Sequence, residues 1–243
     1  MAKRIGILGG ISAESTVAYY HRIIHGYFER RQDTHYPEIV IFSLDFQRFT
    51  DLEDSGDRAG YIAEIASGIE VLERARVDFV IMAANSPHAV FQEVEARARV
   101  PMLSIVQVTA EAARARGLRR LLLLGIKFTM QSSFYQDACR ERGIEVLVPS
   151  DAEQDEINRV IFDELARGIF RDASRARLLA IIDRYSVSCP STDSAADGVI
   201  LGCTELPLLL RQEDAPVPLL DTLELHAEAA LDYALAGEKP RGR

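Results

Sequence analysis

Lysine is scarce in this chain: only Lys3, Lys127 and Lys239 occur among 243 residues, the first and last of them near the ends. A pyridoxal-phosphate Schiff base therefore has a single candidate anchor, Lys127, and chemistry without an organic cofactor is favoured. Cysteine appears three times, as Cys139, Cys189 and Cys203, with neither a CxxC spacing nor an even count. Reduced thiols are expected rather than a disulfide framework, and a reduced thiol can serve as nucleophile or base. Positive charge is also in deficit, since 28 Lys and Arg face 37 Asp and Glu for a net charge of -9. That balance disfavours nucleic acid and anionic lipid and favours a small-molecule partner. No apolar run approaches the roughly 20 residues of a membrane helix. The opening Met1-Ala2-Lys3-Arg4 leads into a short strand rather than a signal-peptide core, so a cytoplasmic protein is expected.

Two familiar glycine loops are missing as well. Gly6-x-x-Gly9-Gly10 lacks the G-x-G-x-x-G order, and no G-x-x-x-x-G-K-[ST] segment occurs, so neither dinucleotide nor phosphate-loop binding is supported. The early glycines are expected instead to let backbone N–H groups approach a carboxylate.

What the sequence does contain is a regular alternation. Short apolar runs at 4–8, 39–44, 79–83, 102–105, 121–124, 145–148, 199–201 and 217–220 read as strands buried on both faces. Helix-length segments lie between them at 13–30, 59–75, 109–116, 131–142, 152–166, 173–185 and 223–236. The alternation implies right-handed crossovers and an α/β fold with mainly parallel sheets. Ser150 with Glu153, and Asp221 with Glu224, have the spacing of capping boxes. The two halves also run in parallel, each opening with a strand and glycine turn. Gly10 and Ala84 are 74 positions apart, and Gly125 and Cys203 are 78 apart. Two similar lobes are expected, the first from 1–105 plus 214–243 and the second from 106–213.

Ligands of parallel α/β sheets bind beyond the carboxyl ends of the strands. Gly9-Gly10, Ala84-Asn85-Ser86, Gly125 to Thr129 and Cys203-Thr204 all come directly after strands. Cys203, at a strand end before a helix, is expected to have a lowered pKa because backbone N–H groups and a helix dipole favour thiolate. Cys139, in mid-helix, and Cys189, before Pro190, read as structural or loop thiols. His21, His25 and Glu29 have the spacing of a metal-binding helix face but read better as a solvated one, and no metal site is expected. His88 and His226 are either cleft residues or hydrogen-bonded structural histidines.

These residues together resemble a known family. Gly6-Ile7-Leu8-Gly9-Gly10, Ala84-Asn85-Ser86-Pro87-His88, Phe128-Thr129-Met130 with Phe134-Tyr135, Gly202-Cys203-Thr204-Glu205, and Asp221-Thr222 with His226 look like the aspartate/glutamate/hydantoin racemase superfamily, nearest its aspartate racemase branch. The resemblance runs through nearly the whole chain in order. It implies a cofactor-independent enzyme, dimeric as a rule, with two pseudo-symmetric α/β lobes and the active site in the cleft between them. Two cysteines there flank the α-carbon of an acidic amino acid, one removing a proton and the other returning one to the opposite face. Carried onto this sequence, it makes Cys203 catalytic and makes Gly10, Ala84, Asn85, Ser86, Thr129 and Thr204 substrate-binding. Arg48 and Arg167 become the arginines that would hold a second carboxylate. The pattern breaks at Ala84, where the branch has cysteine, and at Ile126, where it often has threonine. A methyl group cannot exchange a proton. The resemblance therefore leaves four readings: a single-thiol racemase or epimerase, a relative of arylmalonate decarboxylase, a non-catalytic dicarboxylate binder, or an alanine introduced at position 84 to trap a substrate complex.

Overall fold

The computed structural model describes residues 2–186 and 195–237. They form two compact units, Met1–Ile105 with Leu223–Arg243, and Val106–Thr222. Each unit holds a four-stranded, wholly parallel sheet flanked by helices.

In the first unit, β1 (Ile5–Gly9), β2 (Ile39–Ser43), β3 (Phe79–Met82) and β4 (Met102–Leu103) take the order β2-β1-β3-β4. The central strands β1 and β3 are buried at every position, as their unbroken apolar runs require. Alternate residues divide between the faces. Ile5, Ile7, Phe79, Ile81 and Ala83 pack with Tyr19, Ile23 and Tyr27 of α1 (Ala13–Arg31) and with Leu223, Ala227 and Leu231 of α10 (Thr222–Leu235). Leu8, Val80, Met82 and Ala84 face Phe49 of α2 (Phe46–Ser55) and Tyr61, Ile65, Ile69 and Leu72 of α3 (Arg58–Arg74). Gly68 lets α3 come close to the sheet, since a Cβ there would lie 2.5 Å from Leu8 Cδ1.

Acidic caps start the helices on the α2 and α3 side. Asp45 Oδ1 accepts from the Arg48 N–H at 3.1 Å, and Asp57 Oδ1 from the Gly60 N–H at 3.0 Å. Helix α2 has no counterpart among the helices expected from sequence. It is only ten residues long, and only Phe49 on it is buried, so it lacks the length by which helices are most readily recognised.

In the second unit, β5 (Arg120–Gly125), β6 (Glu145–Leu147), β7 (Gly198–Gly202) and β8 (Leu219–Asp221) repeat the arrangement as β6-β5-β7-β8. The helices α5 (Ile105–Ala115), α6 (Lys127–Gln131), α7 (Phe134–Arg140), α8 (Asp151–Asp163) and α9 (Asp172–Ser186) surround it, while α4 (Phe91–Glu95) belongs to the first unit. The helix expected at 131–142 is two helices, α6 and α7, broken at Ser132 and Ser133. The capping box at Ser150 forms, with Glu153 Oε2 accepting from the Ser150 N–H at 2.9 Å. Residues 214–222, expected in the first lobe, pack in the second unit because β8 pairs with β7, Val199 to Leu219 and Leu201 to Asp221.

In both sheets the first and third strands are central neighbours, and the crossovers leave them in opposite directions. This is a topological switch point, where loops part and leave a crevice at the carboxyl ends. It puts the loops after β1 and β3 together in one unit, and those after β5 and β7 together in the other. Among the described residues no helix is long and apolar enough to cross a membrane.

Candidate active site

In the second unit the crevice residues are Thr129, Cys203, Thr204 and Glu205. Cys203 sits immediately after β7 and is buried. Its thiol donates to Glu205 Oε2 at 3.0 Å, and the Thr204 hydroxyl donates to the same oxygen at 2.9 Å. Burial first, and the neighbouring Glu205 carboxylate second, hold the thiol pKa well above its ordinary value. The expectation of a lowered pKa is therefore overturned. Beyond Cys203 the chain enters only a one-turn 3-10 helix, Leu206–Leu208, preceded by a carboxylate, and not a long helix whose N-terminus could stabilise thiolate. Backbone N–H groups of Thr204 and Glu205 do pull the pKa down, but they are the lesser influence. Cys203 thus rests as a protonated thiol with a carboxylate as its hydrogen-bond acceptor. Glu205 was not singled out from the sequence, although it stands in the quoted Gly202-Cys203-Thr204-Glu205 segment.

Thr129 on α6 lies over the ends of β5 and β7. A Cβ on Gly125 would sit 3.3 Å from Thr129 Cβ, and one on Gly202 would sit 3.5 Å from its Cγ2. Its hydroxyl is buried and has no hydrogen-bond partner among the described residues. An unpaired buried hydroxyl costs stability, and at a strand end it offers a bond to a ligand.

In the first unit, Ala84, Asn85 and Ser86 end β3 and are all buried. Ala84 presents a methyl group, and its carbonyl accepts from His88 Nδ1 at 3.0 Å. Ser86 opens the 3-10 helix Ser86–Val90 and hydrogen-bonds the carboxylate of Glu53, which also accepts from the Tyr61 hydroxyl at 2.8 Å. Burial raises the Glu53 pKa, and these two hydrogen bonds oppose the rise only in part. Glu53 lies on α2, the short helix that was not expected from the sequence.

Gly10 occupies the left-handed region at φ 81°. A side chain there would meet the Leu44 carbonyl oxygen at 2.3 Å, which is why the turn after β1 needs glycine. Its N–H is not turned to a ligand as expected, because it donates to Thr16 Oγ1 at 2.9 Å. The two arginines stand apart from these clusters. Arg48 pairs with Glu64 at 2.7 Å. Both line a groove of about 630 Å³ whose other residues come from Asp45, α2 and α3 and include none of the strand-end residues. Arg167 ends the 3-10 turn Leu165–Arg167 with its side chain exposed. Its neighbours Arg159 and Arg171 are engaged by the buried Glu164 carboxylate, at 2.9 and 3.6 Å.

The remaining candidates have structural roles. His88 Nε2 accepts from the Ile105 N–H at 3.2 Å. His226 bonds the Leu103 carbonyl through Nε2 at 3.0 Å and the Tyr19 hydroxyl through Nδ1 at 2.9 Å. His21 and His25 stack with ring centroids 3.9 Å apart, and no group of three or more potential metal ligands gathers among the described residues. Lys127 is bound to Asp155 at 2.5 Å, which raises its pKa and keeps the ammonium charged. Cys139 is buried in α7, and Cys189 lies outside the described residues.

A family model described as Asp/Glu/Hydantoin racemase matches residues 8–230. The chain belongs to this family. It is an amino acid racemase family member of the aspartate racemase-like kind, with the two-sheet α/β architecture of its structural neighbours. The chain is 26% identical to the broad specificity amino-acid racemase RacX of Bacillus subtilis (strain 168), over 96% of this chain and 98% of that one. An aspartate racemase homologue from Pyrococcus horikoshii OT3 superposes with a TM-score of 0.83 at 39% identity, over 96% of this chain and 99% of the other. The Picrophilus torridus aspartate racemase shares the fold at a TM-score of 0.72 and 22% identity, over 98% and 96% of the two chains.

Proposed function

We propose that this racemase-family member moves the α-proton of an acidic amino acid, aspartate or glutamate, without a cofactor, using Cys203 as its thiol acid/base. The observation that carries the reading is the bond from Cys203 Sγ to Glu205, at a strand end where Thr129 keeps an unpaired buried hydroxyl. A resting thiol is a proton donor, suited to reprotonating an enediolate. When its proton passes to Glu205, the thiolate left behind can remove an α-proton, so one pair serves both directions. The unpaired, buried Thr129 hydroxyl is a donor for the charge that develops on the substrate carboxylate. Of the two arginines, Arg48 is held by Glu64, which leaves the exposed Arg167 as the better candidate to grip a second carboxylate.

Incubation with L- and D-aspartate and glutamate in deuterium oxide tests this. The expected result is α-deuteration that disappears in Cys203→Ser. The methyl side chain at Ala84 favours one second reading, a lone-thiol decarboxylase. Carbon dioxide release from a substituted malonate, with no exchange into any amino acid, would establish that reading and refute the racemase. Dicarboxylate binding without either reaction would make the chain a binder.

A further inference from the structure

We infer that Glu164 is a positioning residue for substrate binding: its buried side chain and its carbonyl fix the turn Leu165–Arg167, so that Arg167 is presented for the second carboxylate of an acidic amino acid. The inference rests on the racemase reading, and its basis lies wholly within the second unit.

The backbone of Glu164 joins helix to turn. Its N–H closes α8 on the Val160 carbonyl at 3.2 Å, and its own carbonyl accepts from the N–H groups of Arg167 at 3.0 Å and Ile169 at 2.9 Å. Gly168, in the left-handed region at φ 69°, lets the chain reverse between those two donors. The side chain joins the turn to α9. Ser174 Oγ donates to Glu164 Oε2 at 2.6 Å, Arg159 of α8 donates to Oε1 at 2.9 Å, and Arg171, just ahead of α9, stands 3.6 Å from Oε1. The Glu164 side chain is only 3% exposed. Taking a carboxylate out of water is costly, and three partners from both sides of the turn offset that cost while fixing the turn between them.

Charge is sorted by the same contacts. Glu164 takes the arginines on either side of the turn, Arg159 and Arg171, and leaves Arg167. Others on α9 are paired as well, Arg175 with Asp214, Arg177 with Glu156 and Arg184 with Glu153. Arg167 is exposed, and its side chain has no ion pair or hydrogen bond among the described residues. A free guanidinium on a backbone held from both ends is preorganised for a bidentate hold on a carboxylate.

Arg167 lies outside the strand-end cluster, but both helices flanking its turn are tied to elements of that cluster. On α8, Asn158 Oδ1 accepts from the N–H of Lys127 at 2.8 Å, and Lys127 opens α6, the helix that carries Thr129. On α9, Arg175 pairs with Asp214, in the segment that runs on from Cys203 to β8. The turn is thus braced against the two segments that follow β5 and β7.

The test measures steady-state α-hydrogen exchange of aspartate and glutamate, each enantiomer separately, by the full chain in deuterium oxide. Glu164→Gln keeps the size and an acceptor for Ser174 but gives up the charge that holds Arg159 and Arg171. It is expected to raise KM about 10-fold or more, the scale of one charge-assisted hydrogen bond, with kcat within about 2-fold of wild type. Arg167→Ala should raise KM at least as far, and the double variant no further than Arg167→Ala alone, because Glu164 acts only through Arg167. A merely structural Glu164 would lower kcat or thermal stability with KM unmoved, and its effect would multiply with that of Arg167→Ala. An unmoved KM in Glu164→Gln, or multiplying effects in the double variant, overturns the assignment while leaving the racemase intact. If Glu164→Gln does not fold, Ser174→Ala removes the 2.6 Å bond alone and should raise KM with kcat held; an unmoved KM there overturns the assignment too. A wild type that exchanges no amino acid overturns the racemase reading and this role with it.

Discussion

Acid should weaken the first unit, and two buried histidines set the window. His88 must carry its proton on Nδ1, because that nitrogen faces the Ala84 carbonyl, and Nε2 accepts from the Ile105 N–H. His226 must carry its proton on Nε2, facing the Leu103 carbonyl, while Nδ1 accepts from the Tyr19 hydroxyl. Both rings are therefore satisfied only as neutral imidazoles. Burial lowers the His88 pKa to about 3, helped by the nearby His226, and burial lowers that of His226 to about 4. A folded pKa below the unfolded value gives stability that is present above pH 6.5 and lost as the pH falls toward the folded pKa. Each such histidine costs about 1.4 kcal/mol per pH unit below 6.5, so the pair costs about 5 kcal/mol at pH 4.5. That is comparable to the whole stability of many domains, about 5–15 kcal/mol. Glu53, whose pKa is raised, works against this trend as it becomes protonated. Urea unfolding followed by circular dichroism from pH 7 to 4.5 should show stability falling with a slope near two protons. In His88→Gln the slope should fall to near one. A flat profile between pH 6.5 and 4.5, or an unchanged slope in the variant, would refute the assignment of two neutral buried imidazoles.

Three more outcomes are expected. Iodoacetamide at pH 8 should label Cys203 and Cys139 far more slowly in the native protein than in urea, because burial holds the first pKa well above its ordinary value and pushes the second up to about 11; peptide mass mapping reads this directly. Thr129→Val should hold or raise thermal stability, by up to about 1 kcal/mol, since it removes an unpaired buried hydroxyl, and should raise KM if that hydroxyl meets the substrate. Gly10→Ala should cost at least about 2 kcal/mol in urea unfolding, given its positive φ and the close approach of the Leu44 backbone.

The eight strands were legible because their apolar runs are nearly unbroken, and the crevice could be located from where those runs stop. Cys203 and Thr129 could be read for the same reason, lying just beyond the ends of β7 and β5. Glu53 could not. Its helix buries a single residue, and its character comes from Tyr61 and Ser86, which are 8 and 33 positions away in sequence. The thiol of Cys203 was misjudged for a related reason, because a strand end suggests a dipole, whereas burial, and after it the Glu205 carboxylate two residues on, outweigh the backbone N–H groups. The partner of Arg48 was not legible either, since Glu64 stands on the next helix.

The shared 2-1-3-4 strand order has a consequence for how such a protein can change over time. Each unit has a complete sheet and a switch point of its own, so the loop after β3 and the loop after β7 are supported by separate cores. A mutation at Ala84 need not disturb the packing that holds Cys203, and the reverse is also true. Duplicated architecture of this kind lets the loops at the two strand ends diverge independently, each on a core of its own.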